Sequence, residues 1–366
     1  MKILLLADAH SVHTIKWAKS LNEAGLEIGI FSLNKKDDNP YESNKNIKVF
    51  YFFNTENKSA SNVFCKLNYL RSLNYLKHVL DKFRPDIIHA HYATSYGLIG
   101  ALIDFHPYII SVWGSDVFDF PNVSFLHKKI IKYNFSKADK ILSTSNIMAK
   151  ETIKYTNKNI IVTPFGVDLE KFKPQIVDSL FSNESIIVGT IKTLEEKYGI
   201  EYLIRAFNIV KKRNCKLSLK LLIVGDGSKK VYLEKLVKNL GISEDTIFTG
   251  KIEHSLIPTY DNMLSVSVSV SDSESFGVAV IEASACGKPV VVSNVGGLPE
   301  VVEDNITGLI VPPRNPEKTA EAIEKLILDK TLREKMGNAG RQRVKELYDW
   351  NNNVKQMINI YKEVLR

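Results

Sequence analysis

The chain has 366 residues, enough for two domains at about 100–200 residues each. With 44% hydrophobic and 25% charged residues it is composed like a globular protein, which excludes disordered and fibrous classes. Its net charge is +8, so an anionic partner is expected, while three distant cysteines (Cys65, Cys215, Cys286) exclude a disulfide framework and a Cys-rich zinc site and point to the cytoplasm.

The first residues, Met1-Lys2-Ile3-Leu4-Leu5-Leu6-Ala7-Asp8, form too short an apolar run for a secretory leader. Strands are predicted at 2–7, 27–33, 47–52, 86–90, 108–112, 140–144 and 160–163. Helices are predicted at about 12–24, 62–83, 95–104, 124–137 and 146–155, and the polar segment 34–46 reads as a loop. These strands are apolar without alternation, the mark of a parallel sheet covered on both faces. The stretch 97–114 is the longest candidate to cross a membrane, but Asp104 and His106 interrupt it and no spanning helix is predicted. Residues 163–174 are rich in turn formers and read as an interdomain connection.

A second alternation follows, with strands at 185–191, 219–224, 246–249, 265–270, 289–293 and 308–311. Helices are expected near 199–212, 229–240, 255–263, 277–286 and 316–328, and two more near 331–346 and 351–365 close the chain. The expected architecture is therefore α/β, with two doubly wound, Rossmann-like parallel-sheet domains in series. Their ligands should bind beyond the carboxyl ends of the strands, in the interdomain cleft. The charge balance is +7 up to Pro174 and +1 beyond it, so the positive excess belongs to the first half.

The most informative segment is Glu274-Ser275-Phe276-Gly277-Val278-Ala279-Val280-Ile281-Glu282-Ala283. A strand runs into a polar loop and a helix opens near Gly277. Phe276, Gly277, Val278 and Ala279 thus lie where free amides and the positive end of the helix dipole would meet a diphosphate. Gly277 has no Cβ to obstruct that approach. Glu274 precedes the helix, and Glu282 lies about 7.5 Å beyond Gly277 along its axis. That separation suits hydroxyls at two ends of a nucleoside-diphosphate sugar, because a carboxylate accepts two hydrogen bonds from a vicinal diol. By residue type alone, the two glutamates read first as an ordinary helix-start acid and an exposed surface acid, and only their flanking residues reverse that reading.

In its flanking residues this segment resembles the retaining glycosyltransferases of family 4, two-domain enzymes of the GT-B fold whose second domain carries a Glu-x7-Glu signature. The likeness extends through Leu222-Ile223-Val224-Gly225-Asp226-Gly227, through Gly296-Gly297-Leu298-Pro299-Glu300-Val301-Val302 and into Thr307-Gly308-Leu309-Ile310-Val311. It implies that Glu274 contacts the donor sugar and that Glu282 holds the ribose. It also implies a catalytic role for Lys192 and Lys197, which stand at the five-residue spacing where the family places an Arg and a Lys against the donor diphosphate. Two cations there would neutralise charge developing on the leaving nucleotide, although a lysine at 192 lacks the bidentate fork of arginine. Gly225 and Gly227 resemble the family's loop near the nucleotide. Gly250 and Ile252 fall where the family contacts the nucleobase through backbone groups.

The first half departs further from the family pattern. His91, at the end of Ile87-Ile88-His89-Ala90-His91, resembles a histidine near the acceptor. Trp113, in Val112-Trp113-Gly114-Ser115-Asp116, stands where many members have the His of His-Gly-x-Asp. It retains the backbone carbonyl that the family turns toward the anomeric carbon. Asp116 is either a receiver for an acceptor hydroxyl or a helix cap. Asp8-Ala9-His10-Ser11-Val12-His13 replaces a Gly-Gly loop, with His13 facing the cleft or serving the helix start. The last helix resembles a crossover back to the first domain. The expected domains are therefore 1–170 with 350–366, for the acceptor, and 175–348, for the nucleotide sugar. Closure is expected on hinges near 165–174 and Trp350.

No paired Cys or strand-end Asp-x-Asp is present, so no metal is expected, and no cofactor either, since the nucleotide sugar is a substrate. Residues 62–84 interleave Phe64, Leu67, Leu70, Leu73, Leu76 and Leu80 with Lys66, Arg71, Lys77, Lys82 and Arg84. Residues 124–137 set Phe125, Leu126, Ile130 and Ile131 against Lys128, Lys129, Lys132 and Lys137. Both stretches are either core-facing helices with solvated basic faces, or a surface for an anionic membrane and a lipid-linked acceptor. Nucleic acid is not expected, because no recognition motif accompanies the charge.

The expected activity is metal-independent, retaining transfer of a hexosyl group, with a UDP-sugar favoured as donor and a lipid-linked or oligosaccharide acceptor. The abundance of Lys, Asn and Ile hints at an AT-rich bacterial genome and hence at surface polysaccharide. Two other functions remain open at this point. A sugar-nucleotide epimerase of the same fold would change its donor without an acceptor, and a non-catalytic binding protein would bind donor without turnover.

Overall fold

Two runs of apolar strands, each alternating with helices, form two separate sheets in which neighbouring strands are parallel. The computed structural model describes residues 1–35, 38–52, 64–182 and 184–366, with the side chains of 64–70 outside that description. The chain divides into one unit of Met1–Pro164 with Asn353–Arg366 and a second of Phe165–Asn352.

The first unit contains β1 (Lys2–Leu6), α1 (Val12–Glu23), β2 (Glu27–Ser32), β3 (Ile47–Tyr51), α2 (Phe64–Phe83), β4 (Ile87–His91) and α3 (Ser95–Ile103). It continues with β5 (Tyr108–Val112), the single turn α4 (Ser115–Phe118), α5 (Phe125–Lys137), β6 (Lys140–Ser143), α6 (Asn146–Thr152) and β7 (Ile160–Val162). The strand order is β3-β2-β1-β4-β5-β6-β7. Ile3, Leu4, Leu5 and Leu6 are all fully buried, which explains why β1 shows no alternation. Each such side chain contributes about 1.5–3 kcal/mol.

The second unit holds β8 (Ile186–Ile191), α7 (Ile200–Arg213), β9 (Leu219–Val224), α8 (Lys230–Asn239), β10 (Thr246–Gly250), α9 (Ile257–Met263) and β11 (Val266–Ser269). After these come α10 (Val278–Ala285), β12 (Val290–Ser293), the single turn α11 (Leu298–Val301), β13 (Gly308–Val311), α12 (Pro316–Leu328), α13 (Lys330–Leu347) and α14 (Trp350–Val364). Its order is β10-β9-β8-β11-β12-β13. α7 shows how the pattern works: Ile200, Leu203, Ile204, Phe207 and Val210 recur at helical spacing and are buried, and α7 packs against α12. β12 starts one residue later than predicted because Pro289 has no N–H for the ladder.

α14 belongs to the first unit from Asn353 onward. Asn353 Nδ2 donates to the Pro164 carbonyl (2.6 Å) and Gln356 Nε2 to the Val162 carbonyl (3.1 Å), while Met357, Ile360 and Tyr361 are buried. In α2, Leu76, Val79 and Phe83 are buried while Arg71, Lys77 and Lys82, and Arg84 just past its end, are exposed. Its described part is thus a core-facing helix with a solvated basic face. Residues 36 and 37 of the predicted loop, residues 62 and 63 of the predicted helix, and the side chains of Phe64, Cys65, Lys66, Leu67 and Leu70 lie outside the described residues. α4 and α11 were not predicted, since one turn is too short to display a helical period.

Candidate active site

In the second unit the strand order reverses between β8 and β11, which run side by side. A doubly wound sheet opens a crevice at such a point, beyond the carboxyl ends of the strands. Lys192 and Lys197 follow β8, and Glu274 follows β11, so all three are delivered there. Lys192 Nζ lies 2.5 Å from Glu274 Oε2, with 15% and 11% of the two side chains exposed. Residues 82 positions apart in sequence thus form an ion pair in a nearly closed setting. Tyr198, which was not predicted, organises the cations: its ring centre is 4.4 Å from Lys192 Nζ and 5.0 Å from Lys197 Nζ. An aromatic beside the second lysine was the available signal. The Lys197 carbonyl accepts from the amides of Asp272 (2.8 Å) and Ser273 (3.3 Å), which ties the two loops together.

α10 starts four residues after Glu274. Val278 and Ala279 are its first residues, and no helical carbonyl stands before them to accept their N–H groups. The Phe276 ring is buried and packs edge-on against Phe165 (5.9 Å) and Tyr348 (5.6 Å), which leaves the backbone of the residue as the part able to meet a ligand. Gly277 has a further reason of its own: a Cβ there would meet Leu298 Cδ2 at 2.9 Å, with φ at +109°, so packing and backbone conformation already demand a glycine.

Gly296 has a role the sequence did not suggest. Its own Cβ would stand 1.7 Å from the Glu274 carbonyl oxygen, and the Gly297 amide donates to that oxygen at 3.0 Å. The turn after β12 therefore grips the backbone of Glu274.

Glu282 is buried on α10, with Oε1 3.8 Å from His254 Nε2. His254 follows Gly250 and Ile252 in the segment after β10, so the second glutamate meets the loop where a nucleobase was expected. His254 escaped prediction because no pattern marks it. The Gly225 amide donates to the Gly250 carbonyl at 3.0 Å, joining the loops after β9 and β10. Ile252 is half-buried against the cluster around Leu222 and Val224. Gly227 sits beside Leu194, whose amide donates to the Asp226 carbonyl at 3.0 Å. Nearby Asp261 is buried, and burial first, then the charge of Glu282, push its carboxyl well above the usual range. A cavity of about 390 Å³ lined by Glu196, Tyr202, Lys229, Asp272 and Arg314 contains none of the candidate residues. Within it Glu196 pairs with Lys229 and Asp272 with Arg314, both at 2.9 Å.

The first unit also reverses its order, at β1 and β4, and His91 ends β4 there. The His91 ring lies 4.5 Å from Trp113 and 4.7 Å from His89, and His13 meets Trp113 edge-on at 5.7 Å. Three predicted residues thus gather beyond the carboxyl ends of the central strands. Tyr92 follows with φ at +88°, an uncommon conformation for a side chain of its size, and its hydroxyl bonds to Ser115.

Asp116 is corrected as a receiver for substrate. Its buried carboxylate accepts from the amides of Ala93 (2.9 Å), Gly114 (2.8 Å) and Trp113 (3.2 Å), so it holds the loops after β4 and β5 together. Nor is it the helix cap, a position taken by Gly114. Burial raises its pKa, against the lowering effect of those amides.

Burial holds His89 down to about 3, and its two ring nitrogens meet Tyr361 Oη and Ser111 Oγ, each at 2.8 Å. His91 is lowered too, by burial first and then by the charges of His89 and His13. Both rings are therefore neutral, and Nδ1 of His91 has no hydrogen-bond partner among the described residues. An unfolded histidine titrates near 6.5, so each contributes stability that is present above that pH and lost as the pH falls toward the folded value. We expect the melting temperature of the native protein to fall between pH 7 and pH 5 more steeply than that of a His89→Gln variant. Parallel slopes would show that His89 does not carry this dependence.

Among the described residues no group of three His, Cys, Asp or Glu is placed to hold a metal ion, and no helix is long and apolar enough to cross a membrane.

Two family models match the chain: one described as "Glycosyl transferase 4-like" over residues 2–145 and one described as "Glycosyl transferases group 1" over residues 172–343. Over 164 residues the chain is 37% identical to an uncharacterised glycosyltransferase of Methanocaldococcus jannaschii, a stretch that covers 45% of this chain and 41% of that protein. It is 27% identical to N-acetyl-alpha-D-glucosaminyl L-malate synthase of Bacillus anthracis, over 95% of this chain and 92% of that protein. Its fold is similar to that of HepE from Anabaena, solved in complex with UDP-glucose, at a TM-score of 0.76 and 19% identity, over 99% of this chain and 100% of that chain.

Proposed function

The chain belongs to the group 1 glycosyltransferases, and on that premise we propose that it is a retaining, metal-independent enzyme using a nucleotide-sugar donor, a UDP-sugar first among them. The acceptor is a lipid-linked or oligosaccharide hydroxyl in the assembly of bacterial surface polysaccharide, at the cytoplasmic face of the inner membrane. One observation carries the donor half: two lysines, Glu274 and a helix start converge at the reversal point of the second sheet, with Glu282 beside the loop after β10. A nucleotide sugar laid along that line would meet the β10 loop with its base and Glu282 with its ribose. Its diphosphate would meet the lysines and the first amides of α10, and its sugar would meet Glu274.

In the reaction the bond between the anomeric carbon and the β-phosphate oxygen breaks as the acceptor oxygen bonds to the same face of that carbon. The acceptor's proton passes to the departing phosphate. The two lysines stabilise the charge gathering on the leaving group, and the protein's part is positioning and electrostatics. In the first unit, His91 and Trp113 are the residues offered to the acceptor. His91 is neutral and so able to exchange hydrogen bonds without repelling a cation or holding an anion.

Anomer-resolved NMR of product formed from UDP-glucose and related sugar nucleotides tests the stereochemistry, and an inverted product would overturn retention. Glu282→Ala is expected to weaken donor binding by about 1.5–3 kcal/mol, the scale for a charged hydrogen-bond partner. Calorimetry that finds unchanged affinity would remove Glu282 from the donor site.

A further inference from the structure

α5 uses only one side in the core of the first unit, where Ile131, Asn134 and Phe135 are buried. Its first turn is different. Ser124 caps the helix, and around that cap Val123, Phe125 and Leu126 are 66%, 73% and 54% exposed. Three large apolar side chains within four positions are thus given to the surface, where the fold gains nothing from them. Contiguous apolar surface of this kind marks an interaction site. Lys128, Lys129 and Lys132 follow on the exposed surface of the same helix and form no ion pair among the described residues. Lys129 Nζ stands 4.7 Å from the Phe125 ring centre, joining the cationic band to the apolar tip. From Phe120 to Ala138 the sequence has four lysines and no acid. The fourth, Lys137, is neutralised by Asp104 at 2.8 Å.

We propose that this tip is the membrane-binding element of the protein. Val123, Phe125 and Leu126 enter the boundary between headgroups and acyl chains of an anionic bilayer, and Lys128, Lys129 and Lys132 engage the lipid phosphates. An apolar tip backed by lysines is the pattern of interfacial helices, and the lysines give it preference for anionic lipid. A second copy of the chain fits less well, because a symmetric contact would press the lysine band against its own equivalent. The proposal deepens the lipid-linked acceptor of the preceding subsection and rests on that reading for its purpose, which is to bring the enzyme to its acceptor.

The full chain is sedimented at low salt with phosphatidylcholine vesicles and with phosphatidylcholine–phosphatidylglycerol vesicles. Binding to the anionic vesicles is expected to be roughly a hundredfold tighter and to weaken with salt. The Phe125→Ser/Leu126→Ser variant should lose roughly tenfold or more on the anionic vesicles. The Lys128→Gln/Lys129→Gln/Lys132→Gln variant should no longer distinguish the two lipids. Both should melt like the native chain, since the altered side chains are exposed, and both should turn over a water-soluble acceptor at the native rate. Equal binding to the two vesicle types, or an apolar-tip variant that binds like the native chain, would overturn the proposal. So would a dimer in light scattering that the Phe125→Ser/Leu126→Ser variant dissolves. A Glu274→Ala chain should still bind vesicles, so loss of transfer and loss of membrane binding are read separately.

Discussion

A Lys192→Met enzyme is expected to lose roughly 10²–10³-fold in kcat/KM, the scale for removing one preorganised group that stabilises charge on a leaving oxygen. The same substitution has a second consequence, because Lys192 is also the partner of Glu274 at 2.5 Å. With little of either side chain exposed, removing the ammonium leaves a carboxylate poorly solvated and unpaired. The unfolding free energy should fall by about 1–3 kcal/mol. Replacing both residues, Lys192→Met with Glu274→Gln, removes the stranded charge and should recover most of that stability while leaving the rate low. Urea unfolding and steady-state kinetics on the three variants separate the roles. A Lys192→Met enzyme within a few-fold of the native rate would exclude Lys192 from the reaction. The pair also bears on the proposed donor site: Lys192 and Glu274 neutralise each other, and a donor diphosphate would compete with Glu274 for the ammonium.

Gly296→Ala is expected to damage donor binding without touching a group that contacts the donor. Its φ of +51° costs an ordinary residue about 1–2 kcal/mol. The new methyl would also lie 1.7 Å from the Glu274 carbonyl oxygen, a distance no rotamer change can relieve because both atoms are fixed by backbone. The turn must move, and Glu274 moves with it. Donor affinity should fall at least about tenfold, with a loss of about 2–4 kcal/mol in stability. Gly25→Ala is the control. It has φ at +90° and nothing within 4 Å of its Cβ, so it shares the strain and lacks the clash. It should lose stability and keep the donor. Native donor affinity in Gly296→Ala, measured by calorimetry, would show that this turn does not hold Glu274.

The unevenness of what could be read in advance follows from the range over which each signal acts. Buried strands such as β1 and amphipathic helices such as α7 declare themselves within a few residues, and both lie where their patterns put them. Lys192 and Lys197 were legible only through their register with a family pattern, since two loop lysines carry no signal by themselves. Tyr198, which spaces them, was missed for want of a periodic context. Asp116 shows the opposite failure. Its residue type suits substrate and backbone equally, and three inward-pointing amides decided for the backbone. The packing of the Phe276 ring was likewise not legible, because adjacency to a helix start says nothing about which side of the loop a ring occupies.

By itself the sequence determined the alternation of strands and helices, the two doubly wound sheets, and the residue types available for phosphate and hydroxyl recognition. These follow from periodicity, turn chemistry and charge, which are properties of neighbouring residues. Only the tertiary structure decided that Lys192 meets Glu274, that Glu282 meets His254, that Gly296 restrains the Glu274 backbone and that Phe125 and Leu126 stay on the surface. Each of these depends on which strands lie side by side and which face of a helix the core has already taken. The reversal of strand order between β8 and β11 brings residues 82 positions apart into hydrogen-bonding distance, and no local pattern contains that fact.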